Sequence, residues 1–346
     1  MALEASTVPE SAAELVIEPD DSIDCIETLS DEDDNDSACG RDESSSLVSL
    51  NSAITEYVYK NGRRYANYGS GQHILPNDEM ECDRHDFLQH IFGMLFGGRL
   101  VFAPIVANPS RILDIGTGTG LWAINVAQMY PSAEVIGTDV SPIQPSWVPP
   151  NLSFQMDDAE ADWTFSRKFD LIHFQSLNGC IRDWKRLLSQ AYENILPGGY
   201  LEAKETDVYT RSDDDSIPHD TSLREWEKNC IQACASIGQQ LTAPEHLKEL
   251  MTEIGFVDVE ERQFKLPING WPKNEELKLI GRYQNVQYLE ALSPFALGLL
   301  VEVAGWSREE MEVFLVNVRK DISNRRFHAY NIVRVITGRK PLAKEY

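Results

Sequence analysis

Short apolar runs alternate with amphipathic segments along the chain from residue 111 onward. The short runs predict strands at 111–115, 134–139, 152–155, 169–174, 200–203, 257–264 and 328–337. Apolar positions three and four residues apart predict helices at 120–129, 181–194, 244–254, 274–292 and 307–322. Strands that alternate with helices in this way are typical of a parallel, doubly wound α/β sheet.

Two regions interrupt this alternation. Residues 51–105 precede the first strand, and their mixed pattern favours a helical N-terminal cap. Residues 268–327 form a mostly helical insertion before the last strand, which with the C-terminus occupies 328–346. Ligands of open α/β sheets bind at the carboxyl ends of the strands, so we expect the insertion to cover that crevice. The core of the sheet is expected at 106–267.

The first fifty residues differ from the rest in charge. They hold 15 Asp and Glu against the single Arg41, which accounts for −14 of the net charge of −24. With almost no aromatic residues they cannot bury enough apolar surface to offset their chain entropy, so residues 1–50 are predicted to be an acidic disordered tail. The overall acidity argues against a nucleic-acid partner, which needs a basic face.

Several other classes of protein do not fit the composition. No stretch approaches the apolar length of a membrane span, and the N-terminus lacks the order of a secretory signal. The six cysteines are scattered without a CxxC pair, which favours reduced intracellular thiols over a disulfide framework. No HxxxH or HExxH spacing supports a metal site.

A glycine-rich turn follows the first strand and carries the strongest chemical signal. The run ILDIGTGTGLW puts Asp114 at the end of the strand and Gly116, Gly118 and Gly120 in a G-x-G-x-G turn before a helix. The next strand ends in Asp139, about 20 residues beyond the glycines, where a carboxylate typically binds a ribose diol. The two features together predict a nucleoside cofactor.

Two cofactors fit this pattern. The spacing is not the G-x-G-x-x-G of dinucleotide sites, so NAD, whose pyrophosphate needs an open helix N-terminus, is the second choice. S-adenosylmethionine has no phosphate; Asp114 is expected to orient or bind its amino group and Asp139 both ribose hydroxyls. Asp157, Asp158 and Ala159 follow the third strand, where the adenine amino group is expected, with Asp158 as the preferred contact.

Beyond these positions the chain resembles class I S-adenosylmethionine-dependent methyltransferases, and more closely the fungal LaeA-like methyltransferases. The residues that carry the resemblance extend over nearly the whole folded part. They are YVYKNGRRY (57–65), LPNDEMECDRHD (75–86), API (103–105), ILDIGTGTGLWA (112–123), VIGTDVSP (135–142), WVPPN (147–151), DDAEADW (157–163), FDLIH (169–173) and LPGGYLE (196–202). Lys60 and His85 depart from the family's pattern, in the N-terminal cap and not in the cofactor motif.

The resemblance implies a seven-stranded Rossmann-like sheet with an antiparallel last strand. It also implies that Tyr65 and the turn at 77–79 lie near the cofactor, where an aromatic ring could face the sulfonium. The complete predicted cofactor-binding set is Tyr65, Asp114, Gly116, Thr117, Gly118, Gly120, Asp139, Val140, Asp157, Asp158, Ala159 and Gln175.

The catalytic residue is not evident, because methyl transfer depends mainly on alignment and needs a base only if the acceptor loses a proton. Glu202 and Glu205 follow a strand and are candidates to face the acceptor, with a solvated rim as the alternative. His219 is a third candidate, within an acidic stretch that favours a flexible loop. His173 lies inside a strand pattern and is interpreted as a core histidine.

Two functions remain open. One is an enzyme that methylates a small molecule in a fungal secondary-metabolite pathway, expected in the cytoplasm. The other is a nuclear regulator of secondary metabolism that acts through protein partners, although no basic localisation run is present. Aromatic residues in the cap and the insertion favour an apolar acceptor pocket; they are Phe87, Phe92, Phe96, Tyr283, Tyr288 and Phe295.

Overall fold

The computed structural model describes residues 16–20, 57–66 and 74–342. Its strands are, in chain order, β1 (Val58–Lys60), β2 (Arg63–Tyr65), β3 (Arg111–Ile115), β4 (Glu134–Asp139), β5 (Leu152–Met156), β6 (Phe169–Gln175), β7 (Ile195–Thr206), β8 (Val257–Pro267) and β9 (Tyr330–Arg339). Strands β1 and β2 form a separate hairpin. The other seven form one sheet in the order β5-β4-β3-β6-β7-β9-β8.

Strand β9 runs antiparallel to both of its neighbours, and the remaining pairs along the sheet are parallel. The chain therefore adds β4 and β5 on one side of β3, and then returns to add β6 and the later strands on the other side of β3. This reversal places a crevice at the carboxyl ends of β3 and β6, the position at which doubly wound sheets bind ligands. The seven-stranded sheet and its antiparallel last strand confirm the predicted fold.

Strand β7 begins five residues earlier than its apolar pattern predicts. Ile195 already pairs with Phe169 of β6, and after a register shift Tyr200 pairs with Leu171. The Leu196–Gly199 segment, interpreted from sequence as a break, is thus an irregularity within the strand. Gly198 adopts the left-handed conformation, with φ of 84°, that this irregularity requires.

The helices are α1 (Glu79–Leu95), α2 (Leu121–Met129), α3 (Trp184–Asn194), α4 (Ser222–Ser236), α5 (Leu247–Ile254), α6 (Glu275–Ala296) and α7 (Arg308–Ile322). Side-chain caps define several starts: Asp78 accepts from the backbone of Glu81 at α1, and Ser307 forms a capping box with Glu310 at α7. The region expected as a helical N-terminal cap is only partly helical, since the β1–β2 hairpin precedes α1.

Helix α6 extends beyond the predicted segment. It passes Pro294 and continues into a π-helical segment, Leu297–Val303. The resulting stretch, Glu275–Val303, is long and apolar enough to cross a membrane by length and composition, contrary to the expectation from sequence that no stretch is. Half of its most apolar part is buried within the protein, which is typical of a core helix.

The cap and the insertion are packed firmly onto the sheet. Helices α4, α6 and α7 and the π-helical segment share an apolar core of their own, which includes Leu223, Leu292 and Leu315. Helix α1 contributes Phe92 and Phe96 to a second cluster, with Phe264 of β8. Together these helices cover the carboxyl ends of the strands, as the position of the insertion in the sequence predicts.

A short piece of the acidic tail lies against the insertion. Pro19 forms an isolated antiparallel bridge with Pro272, and Ile17 packs on the cluster that includes Trp271. Lys278 pairs with Asp20 at 2.8 Å. The prediction that all of residues 1–50 are disordered is therefore wrong for 16–20. In this segment Ile17 packs on an apolar cluster and Asp20 pairs with a lysine. The remaining tail residues lie outside the described part of the chain.

Deleting residues 1–20 is expected to lower the Tm by about 2–5 °C relative to a chain that lacks only residues 1–15. The longer deletion removes the burial of Ile17 and two backbone hydrogen bonds, from Asp20 to Trp271 and from Lys273 to Glu18. Differential scanning calorimetry of the two truncations measures the difference. Equal Tm values would show that the contact contributes nothing to stability.

Candidate functional site

The turn between β3 and α2 depends on glycine for its shape. Gly116, Gly118 and Gly120 all have φ between 59° and 84°. A Cβ on Gly116 would lie 2.4 Å from Leu177, and one on Gly120 would lie 2.3 Å from the ring of Phe154. Gly116 and Gly120 are therefore required by the packing of Leu177 and Phe154, whereas a Cβ on Gly118 would meet only His85, at 3.9 Å, and the backbone there lies open on the cavity wall.

Asp139 ends β4 beside this turn. Its two carboxylate oxygens accept hydrogen bonds from the backbone N–H groups of Gly118 and Ser141, both at 2.8 Å. These bonds fix the orientation of the carboxylate at the crevice. Asp157, Asp158 and Ala159 follow β5 on the same side and line the same cavity, as do Thr117, Val140 and Gln175.

A buried hydrogen-bonded group lies beneath the turn. Asp114 accepts a hydrogen bond from the Thr117 hydroxyl at 2.7 Å, and its other oxygen lies 2.7 Å from Nδ1 of His173. Burial raises the pKa of Asp114 to about 7. Burial, together with the nearby ammonium group of Lys204, lowers the pKa of His173, so the ring is neutral and donates from Nδ1 to the carboxyl group.

His173 is more than a satisfied core residue. Its ring stacks on Trp122 with centroids 3.6 Å apart, but Nε2 is buried without a hydrogen-bond partner, and the side chain contributes to the cavity wall. His173 therefore lies in the core, as interpreted from the sequence, but it is not a satisfied histidine, because Nε2 has no hydrogen-bond partner.

One cavity of about 470 Å³ joins the glycine turn to a second compartment. The compartment, called here the inner chamber, lies under α4 and α6 and is lined mainly by Trp226, Leu241, Tyr288, Ala291, Leu292 and Phe295. Two of the six aromatic residues that favoured an apolar pocket, Tyr288 and Phe295, are in this lining. The other four belong to the apolar cluster that joins α1 to β8 and β9.

The N-terminal cap is hydrogen-bonded across the crevice. Asn77 donates to the hydroxyl of Ser141 at 3.2 Å, and the hydroxyl of Thr119 in the glycine turn donates to Asp86 at 2.5 Å. Gln175, at the end of β6, donates to Gln89 of α1 at 2.7 Å. Three strand ends are therefore each tied to the cap. These partners on the cap have no recognisable spacing in the sequence.

The three candidates for acid–base chemistry occupy different environments. Glu202 is fully buried away from the cavity; it accepts from the backbone N–H groups of Phe102 and Ala103 and pairs with Lys204 at 3.1 Å. His219 is exposed on the loop before α4 and does not line the cavity. Neither position lets the side chain reach a ligand in the crevice.

Glu205 lies on the cavity wall at the junction of the crevice and the inner chamber. Its oxygens accept hydrogen bonds from the backbone of Leu177 at 2.8 Å and of Asn178 at 3.0 Å. Burial raises its pKa to about 8, against the opposing effect of these two donors. The alternative of a solvated rim is wrong for both Glu202 and Glu205, because alternate residues of β7 face the two covered sides of the sheet.

Tyr65 is buried beside the crevice. Its hydroxyl has no hydrogen-bond partner, and among the described residues the neighbouring Ala66, not Tyr65, lines the cavity. A contact between Tyr65 and the cofactor therefore stays a prediction.

Comparisons with known proteins agree with this geometry. A family model described as a methyltransferase domain matches residues 87–261. "Methyltransferase pytC" of Aspergillus terreus is 38% identical over 301 residues, covering 87% of this chain and 93% of that protein. "Secondary metabolism regulator LAE1" of Cochliobolus heterostrophus is 35% identical, covering 82% and 94%. "Protein-methionine methyltransferase laeA" of Emericella nidulans is 33% identical, covering 88% and 82%.

Among solved structures, the chain is similar to phosphoethanolamine N-methyltransferase 2 of Haemonchus contortus in complex with S-adenosyl-L-methionine. The TM-score is 0.43 and the identity 18%, over 75% of this chain and 52% of that one.

Proposed function

This chain belongs to the LaeA-like family of S-adenosylmethionine-dependent methyltransferases, and on that premise we propose that it methylates a small molecule of a fungal secondary-metabolite pathway. The observation that carries the proposal is the continuity of the cavity. A bare glycine turn with carboxylates at the strand ends opens directly into a mostly apolar chamber under α4 and α6. An enclosed, mostly apolar lining of this kind suits a low-molecular-weight acceptor.

The residues of the crevice fit S-adenosylmethionine. We infer that Asp139 accepts both ribose hydroxyls, that Asp158 and Ala159 contact the adenine amino group, and that Asp114 receives the amino group of the methionine end. Gly116, Thr117 and Gly118 line the crevice, and Val140 and Gln175 complete its wall; Gly120, also predicted to contact the cofactor, packs against Phe154 instead.

The bound cofactor supplies a methyl group on a cationic sulfur, open to in-line displacement. The protein's contribution is to hold the acceptor in line and to exclude water. We propose that Glu205 receives the proton that an O–H or N–H acceptor loses, because it is the carboxylate at the junction of crevice and chamber. Its contacts with Leu177 and Asn178 hold the side chain in place for this step.

Replacing Asp139 with alanine is expected to weaken S-adenosylmethionine binding by about 30- to 150-fold, since two charge-assisted hydrogen bonds to the ribose are lost. Isothermal titration calorimetry measures the change. Asp162→Ala is the matched control, because Asp162 is exposed and does not line the cavity. Unchanged affinity in Asp139→Ala would refute the ribose assignment, and preferential binding of NADH would refute the cofactor.

The affinity for S-adenosylmethionine is expected to increase as the pH rises from about 5.5 to 7. The pKa of Asp114 is about 7, and a cationic amino group favours its ionised form. Binding below that pH must therefore release a proton, which weakens the affinity by up to about tenfold per pH unit. In Asp114→Asn we expect weaker binding without this slope. The same slope in the variant would assign the titration to another group.

The second candidate is a regulator of secondary metabolism that methylates or binds a protein. It is favoured by the relatives named as regulators, which this chain matches over most of its length. The two candidates predict different acceptors for the same cofactor site, so the identity of the methylated product separates them.

A further inference from the structure

Three glutamine amides line the inner chamber. Gln239 follows α4, and Gln284 and Gln287, three residues apart, share a face of α6. Their side chains are deeply buried, with 3%, 7% and 4% of their surface exposed. These amides are polar groups at the centre of an otherwise apolar lining.

Two of the three glutamine amides have an oxygen without a partner in the protein. The Oε1 atoms of Gln239 and Gln284 are buried without a hydrogen-bond partner, and so is Oδ1 of Asn178 at the entrance from the crevice. The amide nitrogen of Asn178, by contrast, donates to the backbone of Thr206 and Leu241. Buried amide oxygens are rarely left without a donor, because their desolvation is then uncompensated. Since the three residues line the cavity, a ligand in the chamber can supply these donors once the amide groups rotate toward it.

Arg84 and Asp207 on the cavity wall are each paired with an opposite charge of the protein. Arg84 is the one lysine or arginine that lines the cavity in the described part of the chain, and it is paired with Glu81 at 3.1 Å. Asp207 accepts two hydrogen bonds from Arg334, at 2.6 and 2.8 Å. No cation is thus left to receive an anionic acceptor. A cationic amine would be repelled by the sulfonium, and its nitrogen has no lone pair for attack until it loses a proton.

We propose that the methyl acceptor is an uncharged, mostly apolar molecule carrying at least two O–H or N–H donors, and that Gln239 and Gln284 select it through those donors. This inference rests on the proposed function. It adds that the acceptor is neither a carboxylate or phosphate ester nor an ammonium compound. Gln287 supplies a further amide on the same face of α6, and Glu205 stands where the reacting group meets the crevice.

The test uses the full chain with methyl-labelled S-adenosylmethionine. The probe is an organic extract of a filamentous fungal culture, separated by ion exchange at neutral pH into acidic, basic and neutral pools, alongside a total protein fraction. We expect label in the neutral pool. Label in the acidic or basic pool would overturn this inference and leave the proposed function intact; label only in protein would overturn both.

Substitutions test the role of the amides. Gln239→Glu and Gln284→Glu are each expected to reduce labelling of the neutral pool at least about tenfold, because a carboxylate must then be desolvated where an amide stood. Gln240→Glu is the matched control, since Gln240 is adjacent and exposed, and should behave as the wild type. Affinity for S-adenosylmethionine, measured by calorimetry, should stay unchanged in all three and verifies their folding. Wild-type labelling by both buried variants would show that the amides hold only water.

Discussion

Glu205→Gln is expected to lower kcat for methyl transfer by about 10²- to 10⁴-fold while leaving the affinity for S-adenosylmethionine unchanged. Glutamine keeps the size of the side chain and an acceptor oxygen for one of the two backbone donors, Leu177 or Asn178, but it cannot act as the base. Because the pKa of Glu205 is about 8, the wild-type rate should rise with pH and level off above about pH 8. The variant should lose this rise.

Exposed Glu193 provides the control, as Glu193→Gln changes the same charge on the surface of α3. Initial rates across pH, with labelled cofactor, give kcat and KM separately. A Glu205→Gln enzyme that retains the wild-type kcat and pH profile would assign Glu205 a structural role only, in holding the loop after β6.

Glu202→Ala is expected to reduce the free energy of unfolding by about 3–5 kcal/mol. Removing this fully buried carboxylate leaves the ammonium group of Lys204 in the core without its counter-charge and leaves the N–H groups of Phe102 and Ala103 without an acceptor. The segment that leads from α1 to β3 would then lose its attachment to the sheet. Urea denaturation followed by circular dichroism measures the loss.

A double substitution distinguishes charge from packing. Glu202→Ala with Lys204→Met removes both charges, so part of the stability lost in Glu202→Ala should return. Methionine is an apolar replacement of similar length beside the rings of Phe102 and Trp122, whose centroids lie 5.7 and 5.5 Å from the Lys204 ammonium nitrogen. A loss below about 1 kcal/mol in the single variant would contradict the account of this pair.

The sheet was predictable because its strands are short apolar runs in a parallel arrangement, and such runs are bounded by glycine and polar residues. The glycine turn with Asp114 and Asp139 was predictable for a similar reason: the residues are close in sequence, and each is placed by the strand before it. The start of β7 was harder to predict. A strand that is irregular at Gly198, which has a positive φ, resembles a turn in the sequence.

The site beyond the glycine turn depends on contacts distant in sequence. Glu202 and Glu205 are separated by two residues and were equivalent candidates, but they lie on opposite faces of β7, and only the packing of the helices decides which face reaches the cavity. Gln239, which follows α4, and Gln284 of α6 line the same chamber and follow no spacing rule. The docking of residues 16–20 depends on Trp271 and Lys278, more than 250 residues away.

The most direct test of a small-molecule methyltransferase is to ask where the methyl group goes. The wild-type chain and Asp139→Ala are each incubated with methyl-labelled S-adenosylmethionine. Two pools of candidate substrates are tested in parallel: the low-mass extract of a fungal culture and the whole protein lysate of the same culture. We predict that label enters a low-mass product with the wild type and not with Asp139→Ala. Label that enters only protein, and is lost with Asp139→Ala, would contradict the small-molecule function and favour the regulator.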